Sequence, residues 1–473
     1  MAKPFSRNEP FLNGYFAPLH FEGDASHLPV TGSLPPELDG TLYRIGPNPQ
    51  FAPRGRYDWF AGDGMLHELK LSDGQASYRN RYVRTPKWEL EHAEGEGLSA
   101  GSLAPSPLDD PRLAQLHSTV ANTNIVFHGG HLLALEEAHA PFELDPCSLN
   151  AKGYQNYGGD LVGPMTAHPK IDPLSGEMIA FAYQTEGFGS LDLRLHIIDA
   201  DGQLRRSEHF MAPMASMLHD FCPTARHIVF PVFPLTASME RAQAGRPAWA
   251  WEPELGTQVG IMPRDGTVAD LRWFRGEACF VYHPLNAYDT ADGKVVCDMV
   301  KYDVPPGYPM ANGTPARGQQ HGARLVRWTF DMSSSDDSFS EEALSDLQVE
   351  FPRIDERFTL LPHRHGYFVS GTANPQVGDV SDRSAIAHID LQTGASALWR
   401  PQAGDFCSEP VFVPRSADAA EGDGWLLTVV FRGAEQRSDL VVLDAGDVAS
   451  GPVAQVHLSH RVPAGFHGNW VAA

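Results

Sequence analysis

The chain has 473 residues, 42% of them hydrophobic, and a formal charge of −23 at pH 7. That charge repels phosphates and excludes a nucleic-acid partner, and no run of about 18 apolar residues offers a membrane-crossing helix. Five cysteines without a CxxC pair (Cys147, Cys222, Cys279, Cys297, Cys407) read as reduced, mostly buried thiols of a cytoplasmic protein.

The 44 glycines and 38 prolines are spread over the whole length, the punctuation of many short strands. Gly62-Asp-Gly64 lacks the further glycines and the Lys-Ser/Thr of a phosphate loop and reads as a turn between strands. Residues 125–135 hold a Gly-Gly pair between two apolar runs, a hairpin signal. Further strand-like runs follow at 178–183, 193–198, 227–233, 278–282, 294–300, 325–330, 367–371, 425–431 and 439–444. Helices are expected over 236–243, after Pro234, and over 341–347, with Ser340 as N-cap. Polar loops are expected at 333–339 and 414–423. No linker divides the chain, so residues 1–473 read as one all-β domain, with a closed propeller favoured over a sandwich by length. No strict period of 40–50 residues supports a WD40- or kelch-type array.

Four histidines sit in compact settings: His168 in Met-Thr-Ala-His-Pro-Lys, His219 in Leu-His-Asp-Phe, His283 in Tyr-His-Pro-Leu-Asn-Ala-Tyr and His467 in Gly-Phe-His-Gly-Asn-Trp. They are 51, 64 and 184 residues apart, so only a closed, repetitive fold brings them to one point. Neutral imidazoles ligate iron, copper, nickel or zinc. Four of them, with no ligating carboxylate or thiolate, favour a redox-active iron with open positions over a structural zinc. Taken singly, each of the 21 histidines is more often a core or surface residue; the flanking motifs are what single these four out.

With those motifs the chain resembles the carotenoid cleavage oxygenase family over nearly its whole length. The resemblance runs from Gly40-Thr-Leu-Tyr-Arg-Ile-Gly-Pro-Asn-Pro49 and Trp59-Phe-Ala-Gly-Asp-Gly-Met-Leu-His67, through Ala121-Asn-Thr-Asn124 and the four histidine motifs. It also takes in Glu350-Phe-Pro-Arg-Ile-Asp355 and Ser408-Glu-Pro-Val-Phe-Val-Pro-Arg415. It implies a seven-bladed β-propeller, with a few short helices and loops capping the active-site face. It also implies one Fe(II) held by His168, His219, His283 and His467, with O2 as co-substrate. Three glutamates are matched as acceptors for the ligands' second ring nitrogens: Glu137 for His219, Glu350 for His283 and Glu409 for His467. His168 is left without a carboxylate. Thr123 matches a threonine whose methyl narrows a vacant iron position, and Phe60 is expected to face the substrate.

The implied reaction is oxidative cleavage of a conjugated C=C bond of a small hydrophobic substrate into two carbonyl products. Two substrate classes compete. Stilbene-cleaving members resemble the chain at Trp251-Glu-Pro-Glu254, Gly422-Asp-Gly-Trp425 and Arg437-Ser-Asp439, but they carry a lysine and a loop tyrosine that grip a phenolic oxygen. Here the lysine position is Glu136, expected to point away from Glu137, and the loop 101–107 has no tyrosine. That favours a carotenoid or apocarotenoid, as do residues 133–138 and 141–146. Residues 230–235 with Met239, Trp249 and Trp251 would then form an apolar mouth in peripheral contact with a membrane. A polyene isomerase or hydrolase, or a non-catalytic binding propeller, are the further alternatives.

Overall fold

The computed structural model describes residues 3–103, 106–316, 322–371 and 383–473. It is mostly β, and every pair of strands within its sheets is antiparallel. In chain order the first sheet holds Gly23–Ala25, Gly40–Pro47, Gly64–Ser72 and Gln75–Tyr82, and the second Asn124–His128, His131–Leu135, Phe142–Leu144 and Ala151–Tyr154. Next come Lys170–Ile171, Met178–Tyr183, Asp192–Ile198 and Leu204–Met211. Cys222–Pro223, His227–Val232, Thr257–Pro263 and Arg272–Gly276 form another. A seven-stranded sheet runs from Phe280–Asp289 to Ser396–Trp399.

The two ends of the chain are paired with each other. Gly40–Pro47 lies against Gly468–Ala472, with Arg44 opposite Gly468. Val30–Gly32 lies against Pro452–His457. The sheets meet through buried apolar faces, alternating along each strand. Trp328, Phe230, Phe233, Phe274 and Phe280 are among the largest fully buried side chains.

Local chemistry explains the hairpin expected at 125–135. Gly129 and Gly130 both take positive φ, 56° and 82°, and His128 pairs with His131. A two-residue turn of that kind matches the twist of the strands it joins. Most strand readings hold with ends moved by one or two residues, but the run expected at 278–282 belongs to the longer strand Phe280–Asp289.

The helix readings fare less well. Residues 341–347 lie in the strand Ser340–Arg353. Glu341 and Glu342 pair with Trp328 and Arg327, and Trp328 Nε1 donates to Glu341 Oε2 at 2.7 Å. Tertiary pairing overrides helix propensity there. Of 236–243 only Met239–Gln243 is helical, capped by Ser238, while Thr236 belongs to the strand Leu235–Ala237. Gly62–Gly64 follows the short helix Trp59–Ala61, so it turns a helix, not a strand, into the strand Gly64–Ser72. Four of the five free cysteines are buried and Cys147 is exposed. Among the described residues no helix is long and apolar enough to cross a membrane.

Candidate metal centre

Each of the four histidines stands on or just before an edge strand. His168 precedes Lys170–Ile171, His219 precedes Cys222–Pro223, His283 lies in Phe280–Asp289 and His467 precedes Gly468–Ala472. Edge positions tolerate proline, which cannot donate to a ladder. Pro284, directly after His283, coincides with register shifts on both sides of it. The local break frees the His283 ring from the regular strand pattern.

The rings converge. One nitrogen from each lies within 4.8 Å of the other three, and all four residues are buried. His168 Nε2 and His219 Nε2 are 3.0 Å apart. The His168 ring centroid lies 4.5 Å from His219, 5.1 Å from His283 and 4.5 Å from His467.

Three carboxylates decide which nitrogen faces inward. His219 Nδ1 donates to Glu137 Oε2 at 2.7 Å, His283 Nδ1 to Glu350 Oε2 at 2.7 Å and His467 Nδ1 to Glu409 Oε1 at 2.9 Å. A ring that donates from Nδ1 presents an Nε2 lone pair on its other side. His283 Nε2 is buried and has no partner. Lone pairs crowded into one buried point repel each other and are satisfied by a cation, so the residues fit a metal of the imidazole-preferring kind. His168 Nδ1 is 3.9 Å from Asp220 Oδ2, too far for a hydrogen bond. Asp220 is instead held by Lys170 Nζ at 2.7 and 2.9 Å.

The electrostatics follow the packing. Burial, then the neighbouring imidazoles, push the His168 pKa well down. His467 is pushed down to about 4, chiefly by burial, against the pull of Glu409. Burial also opposes charge on His283, but Glu350 outweighs it and the net shift is upward. Glu409 is held at about 2: burial raises it, and Arg353 and His467 more than reverse that.

An outer layer that sequence reasoning missed fixes the carboxylates themselves. The Tyr183 hydroxyl donates to Glu137 Oε1 at 2.7 Å, and Tyr302 to Glu350 Oε1 at 3.1 Å. Arg353 NH1 lies 3.2 Å from Glu409 Oε2, which also accepts from Gly468 N at 3.0 Å. Phe351 takes φ 52°, uncommon for a residue with a bulky side chain, and its N–H donates to Glu350 Oε2 at 2.6 Å. Its ring lies 5.5 Å from His283 and 5.4 Å from His467. Held strain beside a cluster of ligating groups is typical of functional sites. No spacing in the sequence announces these partners: Tyr183 and Arg353 reach carboxylates outside their own sheets, and Tyr302 lies two strands away from Glu350 in the seven-stranded sheet. A cavity of about 330 Å³ with a mixed apolar and polar lining reaches His168, His283 and His467, with Lys170, Asp220 and Arg353 in its wall.

Thr123 is half-buried beside this cluster. Its hydroxyl donates to Asn122 Oδ1 at 2.9 Å, and its carbonyl accepts from His467 N at 3.2 Å. Phe60 stacks on Phe466, the neighbour of His467, at 5.2 Å and 7°. Glu136 diverges from Glu137, as alternation suggested, although both lie just past the strand His131–Leu135. It accepts from Thr119 Oγ1 at 2.9 Å and from Ala138 N at 2.9 Å, and it pairs with His139. The expected apolar mouth is largely core. Phe230, Val232, Phe233, Leu235 and Trp251 are buried, and only Met239 and Trp249 keep surface. In the loop 101–107, Ala104 and Pro105 lie outside the described residues.

Comparison with known proteins agrees with this arrangement. Residues 16–472 match the family model described as retinal pigment epithelial membrane protein. The chain is 36% identical over 473 residues to isoeugenol monooxygenase of Pseudomonas nitroreducens, covering 98% of each. It is 34% identical over 519 residues to a carotenoid cleavage oxygenase of Mycobacterium tuberculosis, covering 99% of each. The solved lignostilbene dioxygenase of Pseudomonas brassicacearum superposes with a TM-score of 0.93 at 35% identity, covering all of both chains. The chain belongs to the retinal pigment epithelial membrane protein and carotenoid cleavage oxygenase family.

Proposed function

We propose that this protein is an iron(II)-dependent oxygenase that uses O2 to split a conjugated C=C bond into two carbonyl products. The observation that carries the reading is the buried four-histidine cluster, three of whose Nδ1 atoms are each held by a carboxylate. His168, His219, His283 and His467 hold the metal. When bound, the iron supplies the electrons that triplet O2 needs to react with a closed-shell alkene. Glu137, Glu350 and Glu409 fix the tautomers and orient the rings. The Thr123 hydroxyl is engaged by Asn122, which leaves its methyl to narrow the approach to the cluster. Phe60, stacked on the buried Phe466, offers a flat apolar face to a conjugated substrate. The reaction needs no nucleophilic side chain.

Both substrate classes have support. The polyene reading rests on the carotenoid-cleaving relative. The aryl-alkene reading rests on the isoeugenol and lignostilbene relatives. It is also favoured by Glu136, whose charge is paired with His139 and turned onto Thr119. The objection that this carboxylate repels a phenol is thereby weakened.

A seven-bladed propeller fits the sheets if the seven-stranded sheet is divided at its long strand Ser340–Arg353 and the two-stranded sheet is taken as an insertion. The pairing of Gly40–Pro47 with Gly468–Ala472 would close it and make residues 1–473 one unit. Exposed Met239 and half-buried Trp249 are the part of the expected mouth left to meet a membrane.

Labelled O2 tests the chemistry. With rapid trapping of the carbonyl products, one labelled oxygen atom is expected in each fragment. Label in one fragment alone, after correction for exchange with water, would overturn the dioxygenase outcome.

A further inference from the structure

The phenols around the cluster are unequal. Tyr183 is committed to Glu137 and Tyr302 to Glu350. Tyr308 is different. It stands in the connection between Lys294–Tyr302 and Arg324–Asp331, a loop pinned in place where Trp251 N donates to Pro309 O at 2.8 Å. Its ring packs against the largest buried cluster and yet is only half-buried. Two of its neighbours belong to the ligand-bearing segments. Met217, two residues before His219, places its sulfur 3.8 Å from the Tyr308 hydroxyl. Tyr282, the residue before His283, sets its ring at 90° to His219 with centroids 5.6 Å apart.

The Tyr282 and Tyr308 hydroxyls share a hydrogen bond. The Tyr308 O–H also reaches the Met217 thioether, a weak acceptor. A hydroxyl held only by a second rotatable hydroxyl and a thioether can turn its proton to a stronger ligand oxygen at little cost. The surrounding charge narrows the ligand. Asp58 and Glu137 both act on Tyr308, so a carboxylate-terminated ligand is repelled while a neutral hydroxyl is not. Phe60, half-buried over the buried rings of Trp59 and Phe466, offers one flat apolar face to a conjugated body.

We propose that Tyr308, backed by Tyr282, receives a neutral hydroxyl at one end of the conjugated substrate and so selects hydroxyl-terminated alkenes. The proposal rests on the alkene-cleaving reading and supplies, from a different segment, the donor missing at Glu136. A hydroxyaryl alkene and a ring-hydroxylated polyene share this chemistry.

The first test uses saturated analogues, which bind but have no bond to cleave. Calorimetry on the iron-loaded protein should show 4-hydroxybibenzyl binding roughly 5- to 20-fold tighter than 4-methoxybibenzyl. In Y308F the two should fall within about twofold, with iron content unchanged. M217L removes the sulfur and should keep the preference. No preference in the wild type, or an intact preference in Y308F, overturns the proposal, as does loss of preference in M217L. Turnover of 4-hydroxystilbene against 3-hydroxy-β-apo-8′-carotenal then separates the two sources of the hydroxyl. Tyr308-dependent binding with cleavage of neither would keep the subsite and sink the oxygenase reading.

Discussion

On one side of the histidine cluster, His283 and His467 lean on Glu350 and Glu409, whose side chains are 2% and 4% exposed. On the other, His219 leans on Glu137, which is 23% exposed and shares its space with Tyr183. On the first side the carboxylates are buried and backed by a strained Phe351 and a guanidinium, and the cavity reaches the rings in front of them. On the second the carboxylate is phenol-lined and keeps accessible surface. One half of the site holds its carboxylates fast, and the other leaves its carboxylate within reach of solvent. Burial strengthens a hydrogen bond to a charged acceptor and raises the cost of losing it. The same imidazole–carboxylate motif therefore carries different weight on the two sides.

The sharpest break comes from removing a ring. H283A deletes one ligand and leaves Glu350 buried without its principal partner. Iron measured by mass spectrometry should fall below about a tenth of an atom per chain, and cleavage should be lost. Full iron occupancy would sink the ligand set.

A finer cut separates the two sides. E409Q replaces a carboxylate that balances both His467 and Arg353, so iron affinity should drop roughly 100-fold. E137Q acts where solvent and Tyr183 compensate, and about 10-fold is expected. Chelator competition on both variants reads the ratio. Equal losses would erase the distinction.

The smallest effect concerns acid and lies outside the site. His196 is fully buried, neither ring nitrogen has a partner, and burial with Arg194 nearby pushes it down to about 4. The unfolded chain takes up that proton near pH 6.5. Stability is therefore lost as pH falls from 6.5 to 4, and none of it is recovered by metal. Denaturant midpoints of the metal-free protein should decline over that window, with a flatter slope in H196L. An unchanged slope would remove His196 from the account.

How much of this was legible beforehand depends on how local each signal is. The four histidines stood out because proline or glycine directly follows three of them, and that is the same local chemistry that lets an edge strand turn its side chain inward. The Glu–His pairings came through the family resemblance, and the geometry brings each pair within hydrogen-bond reach. The residues 341–347 were misread because strong helix formers say nothing about a waiting partner strand. Apolarity at 230–235 was equally silent on whether it faces a mouth or a core. Tyr183, Tyr302, Arg353 and Tyr308 could not be seen at all. Each acts on a residue from a distant part of the chain, and a tyrosine at the end of a strand looks the same whether or not its hydroxyl has work elsewhere.

The pairing of Gly40–Pro47 with Gly468–Ala472 has a bearing on biogenesis. His467 trails His283 by 184 residues, and the strand it introduces docks on a strand translated long before it. During synthesis a nascent chain can carry three converging imidazoles long before the fourth exists. An incomplete set of that kind also suits zinc or copper. Metal choice is therefore exposed to timing, because one edge of Gly40–Pro47, whose other edge pairs with Gly64–Ser72, has no partner until translation has passed Gly468. Such long-range closure is slow, and producing the protein in iron-poor, zinc-rich medium should trap the wrong ion during that wait.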